Sequence, residues 1–409
     1  MRKILQIGIE VNSGSTGKVA EQIGIIAIDG GFESYIAYAR GYNPSLSNTI
    51  KIGNKLSQFI HLLKTRILGE HLDGSYFVTK IFINKIKKLN PDIIHLHNIH
   101  GYYINVPLLF KFLKKFGKPV IWTLHDCWVF TGHCTHFTIE GCDKWKKECF
   151  SCPKTKNYPK SLFFDTSNQE YLTKKKLFND LPNLVLVGVS DWVARLAGES
   201  FLKNKKIISV FNGVNTEVFR QMFNRNEVLT KYNINPTSKV LIASGTTWIN
   251  TKGLDDYKIL ADVLPLDYQL VLVGVNKKVA SNIPSKIITI PRTESQNELA
   301  ELYSVAEILL CLSYQESFGF PPVEAMACGT PVIVYNNTAL RELVNESTGR
   351  LVPTGNINEV LEMIREITSI GKNKFSQNCR NRVLEIYDMN LSYQKYLNLY
   401  IELLNVKKR

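Results

Sequence analysis

The chain lacks any run of eighteen apolar residues, which is what a membrane-spanning helix requires. Its first nine residues, Met1-Arg-Lys-Ile-Leu-Gln-Ile-Gly-Ile, read as a short strand without the layout of a secretory signal, so the cytoplasm is the expected compartment. No low-complexity linker divides it. No nucleic-acid-binding motif appears, and basic charge alone is a weak argument for such a partner. Histidine is missing after residue 136, although the chain holds eight. Net charge is nearly missing from the second half as well. Residues 211–409 hold 21 Lys/Arg and 20 Asp/Glu, a net of +1, whereas residues 1–210 hold 29 and 16, a net of +13. The two halves therefore do different work.

A chain of 409 residues is too long for one core and suggests two domains of about 200 residues each. At 44% hydrophobic and 21% charged residues its composition is globular. Short apolar runs at 3–9, 34–39, 92–96, 119–124 and 184–189 read as strands, with helical stretches between them. The pattern repeats at 239–244, 268–273, 286–290, 307–312 and 331–334. Such alternation is that of a parallel sheet with crossover helices. The fold class expected is α/β, with two doubly wound, Rossmann-like domains facing across a cleft. Ligands of such sheets bind beyond the carboxyl ends of the strands.

The basic residues of the first half sit on helical segments. Leu56, Phe59, Ile60, Leu63 and Ile67 recur at helical spacing with Lys55, Lys64 and Arg66 between them. Segments 77–88 and 108–116 are similar. Each alone reads as a packed helix with a solvated lysine face. Three in one half point to an anionic membrane surface as a partner.

Glu316-Ser-Phe-Gly-Phe-Pro-Pro-Val-Glu324 sets two carboxylates eight residues apart around a glycine turn. Gly319 lets the backbone approach a ligand closely. Pro321 and Pro322 suit the first turn of a helix, whose free N–H groups favour an anion. A diphosphate suits the helix end, and ribose and hexose hydroxyls suit the two acids. With the following Ala-Met-Ala-Cys-Gly-Thr-Pro-Val, the stretch resembles the signature of retaining GT-B glycosyltransferases of family 4. The resemblance spans nearly the whole chain and is strongest at 307–349. It implies that Glu316 contacts the donor sugar, Glu324 the donor ribose, and Ser317, Phe318, Gly319 and Phe320 the diphosphate.

Further segments carry the same resemblance. Phe211-Asn-Gly-Val-Asn-Thr-Glu-Val-Phe219 is similar to the motif that opens the second domain, with Asn215 where the family usually has Asp. The implied division is 1–210 for the acceptor and 211–389 for the nucleotide sugar, with a final helix in 390–409 packing back on the first domain. In Ser244-Gly-Thr-Thr-Trp-Ile-Asn-Thr-Lys-Gly253, Lys252 and Gly253 match a diphosphate-binding Lys-Gly, but Thr246, Thr247 and Trp248 stand where an Arg is usual. Arg292 is a further candidate cation. Asn12-Ser-Gly-Ser-Thr-Gly-Lys18 fails as a P-loop, because Asn12 replaces the first glycine and Val19 follows the lysine. Gly14 and Gly17 read instead as a turn whose N–H groups meet the donor.

Segments 92–103 and 123–133 each run from a strand into a histidine-bearing loop, and both resemble a colanic-acid and exopolysaccharide branch of the family. His97, His100 and Asp126 are expected near the acceptor. His125 resembles a histidine that lies near the donor sugar in the family, and is expected to be catalytic with Lys252 and Glu316.

Cys134, Cys142, Cys149 and Cys152 fall within nineteen residues, the last pair as C-x-x-C. They are either a structural zinc site or four free thiols in a loop. Cys127, Cys311, Cys328 and Cys379 read as core residues.

The resemblance implies front-face transfer with retention, in which the diphosphate helps deprotonate the acceptor. The sequence has no Asp-x-Asp pair of the kind that holds a divalent metal in other transferases, so no cofactor is expected for catalysis. The donor is a UDP or GDP sugar. The acceptor is a glycan, expected to be lipid-linked, in bacterial surface polysaccharide synthesis. The enzyme would be peripheral on the inner face of the plasma membrane. A rival reading is a nucleic-acid- or membrane-binding protein on a catalytically decayed scaffold.

Overall fold

The computed structural model describes residues 1–222 and 224–406. Its contacts divide the chain into two units, Met1–Phe211 with Ser392–Arg409, and Asn212–Leu391. The final helix runs Met389–Val406. Residues 407–409 of the range expected for it lie outside the described residues.

The first unit is built on seven strands. These are β1 (Arg2–Ile7), β2 (Phe32–Tyr38), β3 (Asn48–Lys51), β4 (Ile93–Leu96), β5 (Val120–Leu124), β6 (Leu184–Gly188) and β7 (Lys206–Ser209). They lie in the order β3-β2-β1-β4-β5-β6-β7, all parallel. β4, β5 and β6 are buried at every residue, as expected of strands with helices on both faces. The chain winds outward from β1 through β2 and β3, then returns to lay β4 against the other side of β1.

The second unit has six parallel strands. They are β8 (Lys239–Ser244), β9 (Tyr268–Val273), β10 (Ile287–Ile290), β11 (Ile308–Cys311), β12 (Val332–Tyr335) and β13 (Gly349–Val352). Their order is β10-β9-β8-β11-β12-β13, so winding reverses between β8 and β11. Both sheets are doubly wound α/β, as expected. Three strands escaped the sequence reading: β3, β7 and β13. All are four-residue edge strands with half-exposed residues, too short and too polar to show as apolar runs.

The helices obey local rules. Asn54 and Ser57 form a reciprocal capping box at the start of Lys55–Leu68, and Gly69 ends it at φ 75°. Asn105 caps Val106–Phe116, with Pro107 in the first turn and Gly117 at φ 67° beyond its end. That second helix buries Leu109, Phe110 and Leu113, an ordinary packed helix. Lys55–Leu68 corrects the sequence reading. The helix buries His61 and Thr65, while Leu56, Phe59, Ile60, Leu63 and Ile67 are exposed.

No helix of the described residues is long and apolar enough to cross a membrane.

Candidate active site

In the second unit the loops after β8 and β11 meet where the winding reverses, the usual ligand position of such sheets. Beyond β8 the chain makes a single 3-10 turn, Asn250–Lys252, ended by Gly253 at φ 76°. A Cβ on Gly253 would lie 2.2 Å from the Leu312 carbonyl oxygen, so only glycine lets this turn rest on the end of β11. Tyr314 N–H donates to Thr251 O at 3.0 Å and closes the join. The result is a Lys252 Nζ to Glu316 Oε1 distance of 2.6 Å. Burial disfavours the Lys252 charge, but the Glu316 carboxylate outweighs it and holds the ammonium above its ordinary range. Glu316 is itself fixed through its backbone. Its N–H donates to Thr338 Oγ1 at 3.0 Å, and its carbonyl accepts from Ala339 N–H at 3.3 Å.

Three residues past Glu316 the backbone turns at Gly319 (φ 102°) into the helix Phe320–Ala327, with prolines in its first turn. Phe318 is buried and its ring packs on Phe320 and Tyr387, with centroids 5.1 and 6.0 Å away. The loop is thus pinned by its side chains, and its backbone is what remains to meet a ligand. Ser317 is half-buried beside it. Glu324, on the helix, accepts from Tyr303 OH at 3.0 Å. Tyr303 OH lies in turn 2.6 Å from Ser244 Oγ at the end of β8. Both carboxylates are therefore referred to β8, Glu316 through Lys252 and Glu324 through Tyr303.

Arg292 is exposed on the loop after β10, and β9 stands between that strand and β8. Residues 246–248, where the family usually has its arginine, hold no cation. Thr246 and Thr247 are exposed, and Trp248 is buried with Nε1 donating to Val273 O at 3.2 Å. The Asn215 departure is structurally neutral. Its Oδ1 accepts from Glu217 and Val218 N–H at 3.0 and 3.2 Å, a cap that an aspartate would also make.

In the first unit a second cluster forms beyond β1, β4 and β5. His97 Nδ1 lies 3.0 Å from His125 Nε2, and His97 Nε2 lies 2.9 Å from Gln6 Oε1. His95 sits one layer deeper, 2.7 Å from Tyr400 OH and 2.8 Å from Thr123 Oγ1. The His95 and His97 rings stack at 4.4 Å, those of His97 and His125 at 5.3 Å. Burial lowers His125 to about 4, against the pull of Asp126, and takes His97 well below its ordinary value. Both are neutral at pH 7, so they act as hydrogen-bonding groups and not as cations. His100 Nε2 lies 2.9 Å from Asp126 Oδ2 and its Nδ1 lies 3.1 Å from Tyr158 OH. Burial raises Asp126, but His100 and further hydrogen bonds outweigh this and hold it at about 2.

The glycine turn holds an unexpected occupant. Gly14, Gly17 and Gly41 wrap the side chain of Glu10. A Cβ on Gly14 would lie 2.2 Å from Glu10 Oε2, one on Gly41 2.8 Å from its Cγ, and one on Gly17 3.0 Å from its Cβ. Burial raises the Glu10 carboxyl, with Arg40 working against the rise. Glu10, Gln6, Thr338 and Tyr303 all escaped the sequence reading. None belongs to a motif, and each makes a contact distant in sequence, Glu10 with Gly41 among them.

The four clustered cysteines line one small cavity of about 20 Å³ with Thr131 and His133. Cys134 and Cys152 share a hydrogen bond that, with burial, pushes Cys134 up, while the same bond draws Cys152 down to about 7. Cys149 accepts from Gly132 N–H at 3.2 Å. Among the described residues no group of three or more His, Cys, Asp and Glu is arranged to hold a metal ion. This arrangement does not support the zinc expectation. The segment also has a core of its own, with the Trp145 ring 4.8 Å from Phe137 and 5.2 Å from Phe130. The other four cysteines are buried, as expected.

Residues 224–383 match the family model described as glycosyl transferases group 1. WcaC of Escherichia coli (strain K12), whose name assigns it to glycosyl transfer in colanic acid biosynthesis, is 22% identical over 428 residues, covering 97% of this chain and 99% of that protein. Among solved structures, sucrose-phosphate synthase of Thermosynechococcus elongatus superposes with a TM-score of 0.73 at 18% identity, covering 99% of this chain and 100% of that one. HepE of Anabaena, solved with UDP-glucose, does so with a TM-score of 0.66 at 12% identity, covering 98% and 100%. The two-sheet architecture is the GT-B fold of these glycosyltransferases.

Proposed function

We propose that this chain, whose residues 224–383 match glycosyl transferases group 1, moves a sugar from a nucleoside diphosphate donor to a glycan acceptor, with retention at the anomeric carbon. The observation that carries this reading is the Lys252–Glu316 pair beside a helix that begins at Gly319. That group combines a cation, a helix N-terminus and two oriented carboxylates, the complement of a diphosphate joined to two polyols.

In this reading Lys252 and the N–H groups of 318–320 bind the diphosphate. Pre-placed donors of this kind stabilise charge as the anomeric carbon–oxygen bond breaks. Glu316 accepts from hexose hydroxyls and Glu324 from the ribose. The acceptor oxygen bonds to the anomeric carbon, and its proton passes to the departing diphosphate. No step needs a metal. Arg292 stays a candidate only for the outer edge of the nucleotide. His125, neutral and held by His97, is assigned to the reacting sugar. His97, His100 and Asp126 are assigned to the acceptor. Gly14 and Gly17 move with Glu10 to the acceptor as well, because a carboxylate in their cradle would repel a diphosphate and suits hydroxyls.

HepE was solved with UDP-glucose, which favours a uridine donor, and the name of WcaC favours surface polysaccharide as the product. A lipid-linked acceptor would bring the enzyme to the inner membrane face. The test is a thermal-shift screen of UDP and GDP sugars with EDTA present. A bound donor at about a hundred times its Kd would stabilise by about 2.7 kcal/mol. No shift with any of them would count against the reading.

A further inference from the structure

The Lys55–Leu68 helix is inside out. At about 100° per residue, its buried His61 and Thr65 define one face, and Leu56, Phe59, Ile60, Leu63 and Ile67 centre on the opposite one. His61 is held there by Ser75 Oγ and the His71 carbonyl, each 2.9 Å away. The polar residues thus have inward partners, while Leu56 is 66%, Ile60 57% and Phe59 54% exposed. Further exposed apolar residues lie on the segments bonded to this helix. The same Ser75 precedes the helix Tyr76–Leu89, where Tyr76, Phe77 and Ile81 are exposed, Phe77 by 78%. Beyond the other end, Leu162 N–H donates to Arg66 O at 2.8 Å, and Thr166 Oγ1 donates to Gly69 O at 2.8 Å. These bonds hold the exposed Leu162, Phe163 and Phe164 against the end of the helix.

Single exposed apolar residues are ordinary, but five on one face of a single helix, opposite its buried polar residues, are not. The rim of that face is basic. On the helical projection Lys55 and Arg66 flank the apolar stripe on one side and Lys64 on the other. Lys80 lies exposed between Phe77 and Ile81 on the neighbouring helix. An apolar stripe edged by cations is the pattern of helices that lie in a bilayer interface beside anionic headgroups.

We propose that this surface, with Phe59, Leu63 and Phe77 among its apolar residues, seats the enzyme on an anionic lipid bilayer. The proposal rests on the reading above that the acceptor is reached at a membrane, and names the face that does so. The sequence reading spread the contact over three basic amphipathic segments, and the structure narrows it to one face. The 108–116 segment is excluded because its apolar side is buried.

The test uses the full chain and sedimentation with vesicles of phosphatidylglycerol and phosphatidylcholine at physiological salt. A double variant, Phe59→Ser with Phe77→Ser, should bind anionic vesicles at least tenfold more weakly, with melting temperature and UDP binding unchanged. As a gain of signal, Phe77→Trp should shift its fluorescence to the blue on those vesicles and not on pure phosphatidylcholine. The five native tryptophans are all buried and provide a quiet background. If wild type binds anionic vesicles and the double variant binds equally, this face is wrong while the membrane reading stands. If wild type ignores anionic vesicles, the membrane reading falls and the face with it. If the double variant instead turns a dimer into a monomer on a sizing column, the patch covers a second copy and the proposal is overturned.

Discussion

Lys252 Nζ and Glu316 Oε1 lie 2.6 Å apart although sixty-four residues separate them. They end the turns that follow β8 and β11, the strands at which the second sheet reverses its winding. The lysine assigned to the diphosphate is therefore already neutralised by the carboxylate assigned to the sugar. A donor entering this place must share the lysine with Glu316 or take it over.

Glu316→Gln separates those two roles. It removes the charge and keeps the shape, so the lysine is released to the ligand. Transfer should fall at least a hundredfold, while a bare nucleoside diphosphate should bind as tightly as to wild type or a few times more tightly. The pair is partly exposed, and pairs of that kind contribute little to stability, about 0–1 kcal/mol, so melting should hardly change. Turnover and calorimetric binding on the same preparation check this. Near-normal turnover would remove Glu316 from the mechanism.

Glu324→Ala should weaken nucleotide-sugar binding by about 1–3 kcal/mol, the cost of a lost charged hydrogen bond. Tyr303→Phe should act in the same direction but less, because it removes only the group that orients Glu324. Titration of both variants with one donor gives the order. Equal affinities for wild type and Glu324→Ala would contradict the ribose assignment.

Gly253→Ala should disturb the lysine turn without touching a ligand. The residue sits at φ 76°, and its new Cβ would meet the Leu312 carbonyl. Alanine at positive φ is strained, and here backbone must also move. Loss of at least about 1 kcal/mol of stability and a clear loss of donor affinity are expected from urea unfolding and calorimetry. A variant with unchanged affinity would show that the position of Lys252 is not critical.

Acid should destabilise the first unit before carboxylate pairs are lost. Burial lowers His61, His125 and His133 to about 4 and His95 to about 3. Their unfolded forms take up protons near pH 6.5, so the unfolded state binds more protons between about pH 6.5 and 4, and stability falls with pH across that window. Glu170 opposes this. Burial raises it to about 7, and it favours the folded state as pH falls from 7 to 4.5. Glu10 and Asp73, also raised by burial, work with Glu170, but His71 and His97 are lowered as well, and the six histidines outnumber the three carboxyls. Thermal unfolding should shift downward between pH 7.5 and 5, and a flat or rising melting temperature would contradict the buried-neutral assignment.

The central strands were legible because parallel strands buried on both faces are nearly continuous apolar runs. The edge strands β3, β7 and β13 were not, since half-exposed residues break that pattern. Periodicity showed that Leu56, Phe59, Ile60, Leu63 and Ile67 share a face, but period cannot say whether a face points inward. That was decided by His61, whose partners Ser75 and His71 are known only from the fold. Glu316, Glu324 and Lys252 stood out because their neighbours in sequence form a motif. Glu10 and Tyr303 did not, because their contacts come from other loops and helices. The cysteine spacing suggested a metal, but among the described residues no group of three or more His, Cys, Asp and Glu is arranged to hold one.

The most direct test of the donor site is calorimetry with UDP and GDP, in EDTA, on wild type and on Lys252→Ala. The account predicts one site per chain for one of the two nucleotides, with affinity lowered at least tenfold by the substitution and melting temperature unchanged. Absence of binding by either nucleotide, or binding that ignores the loss of Lys252, would contradict it.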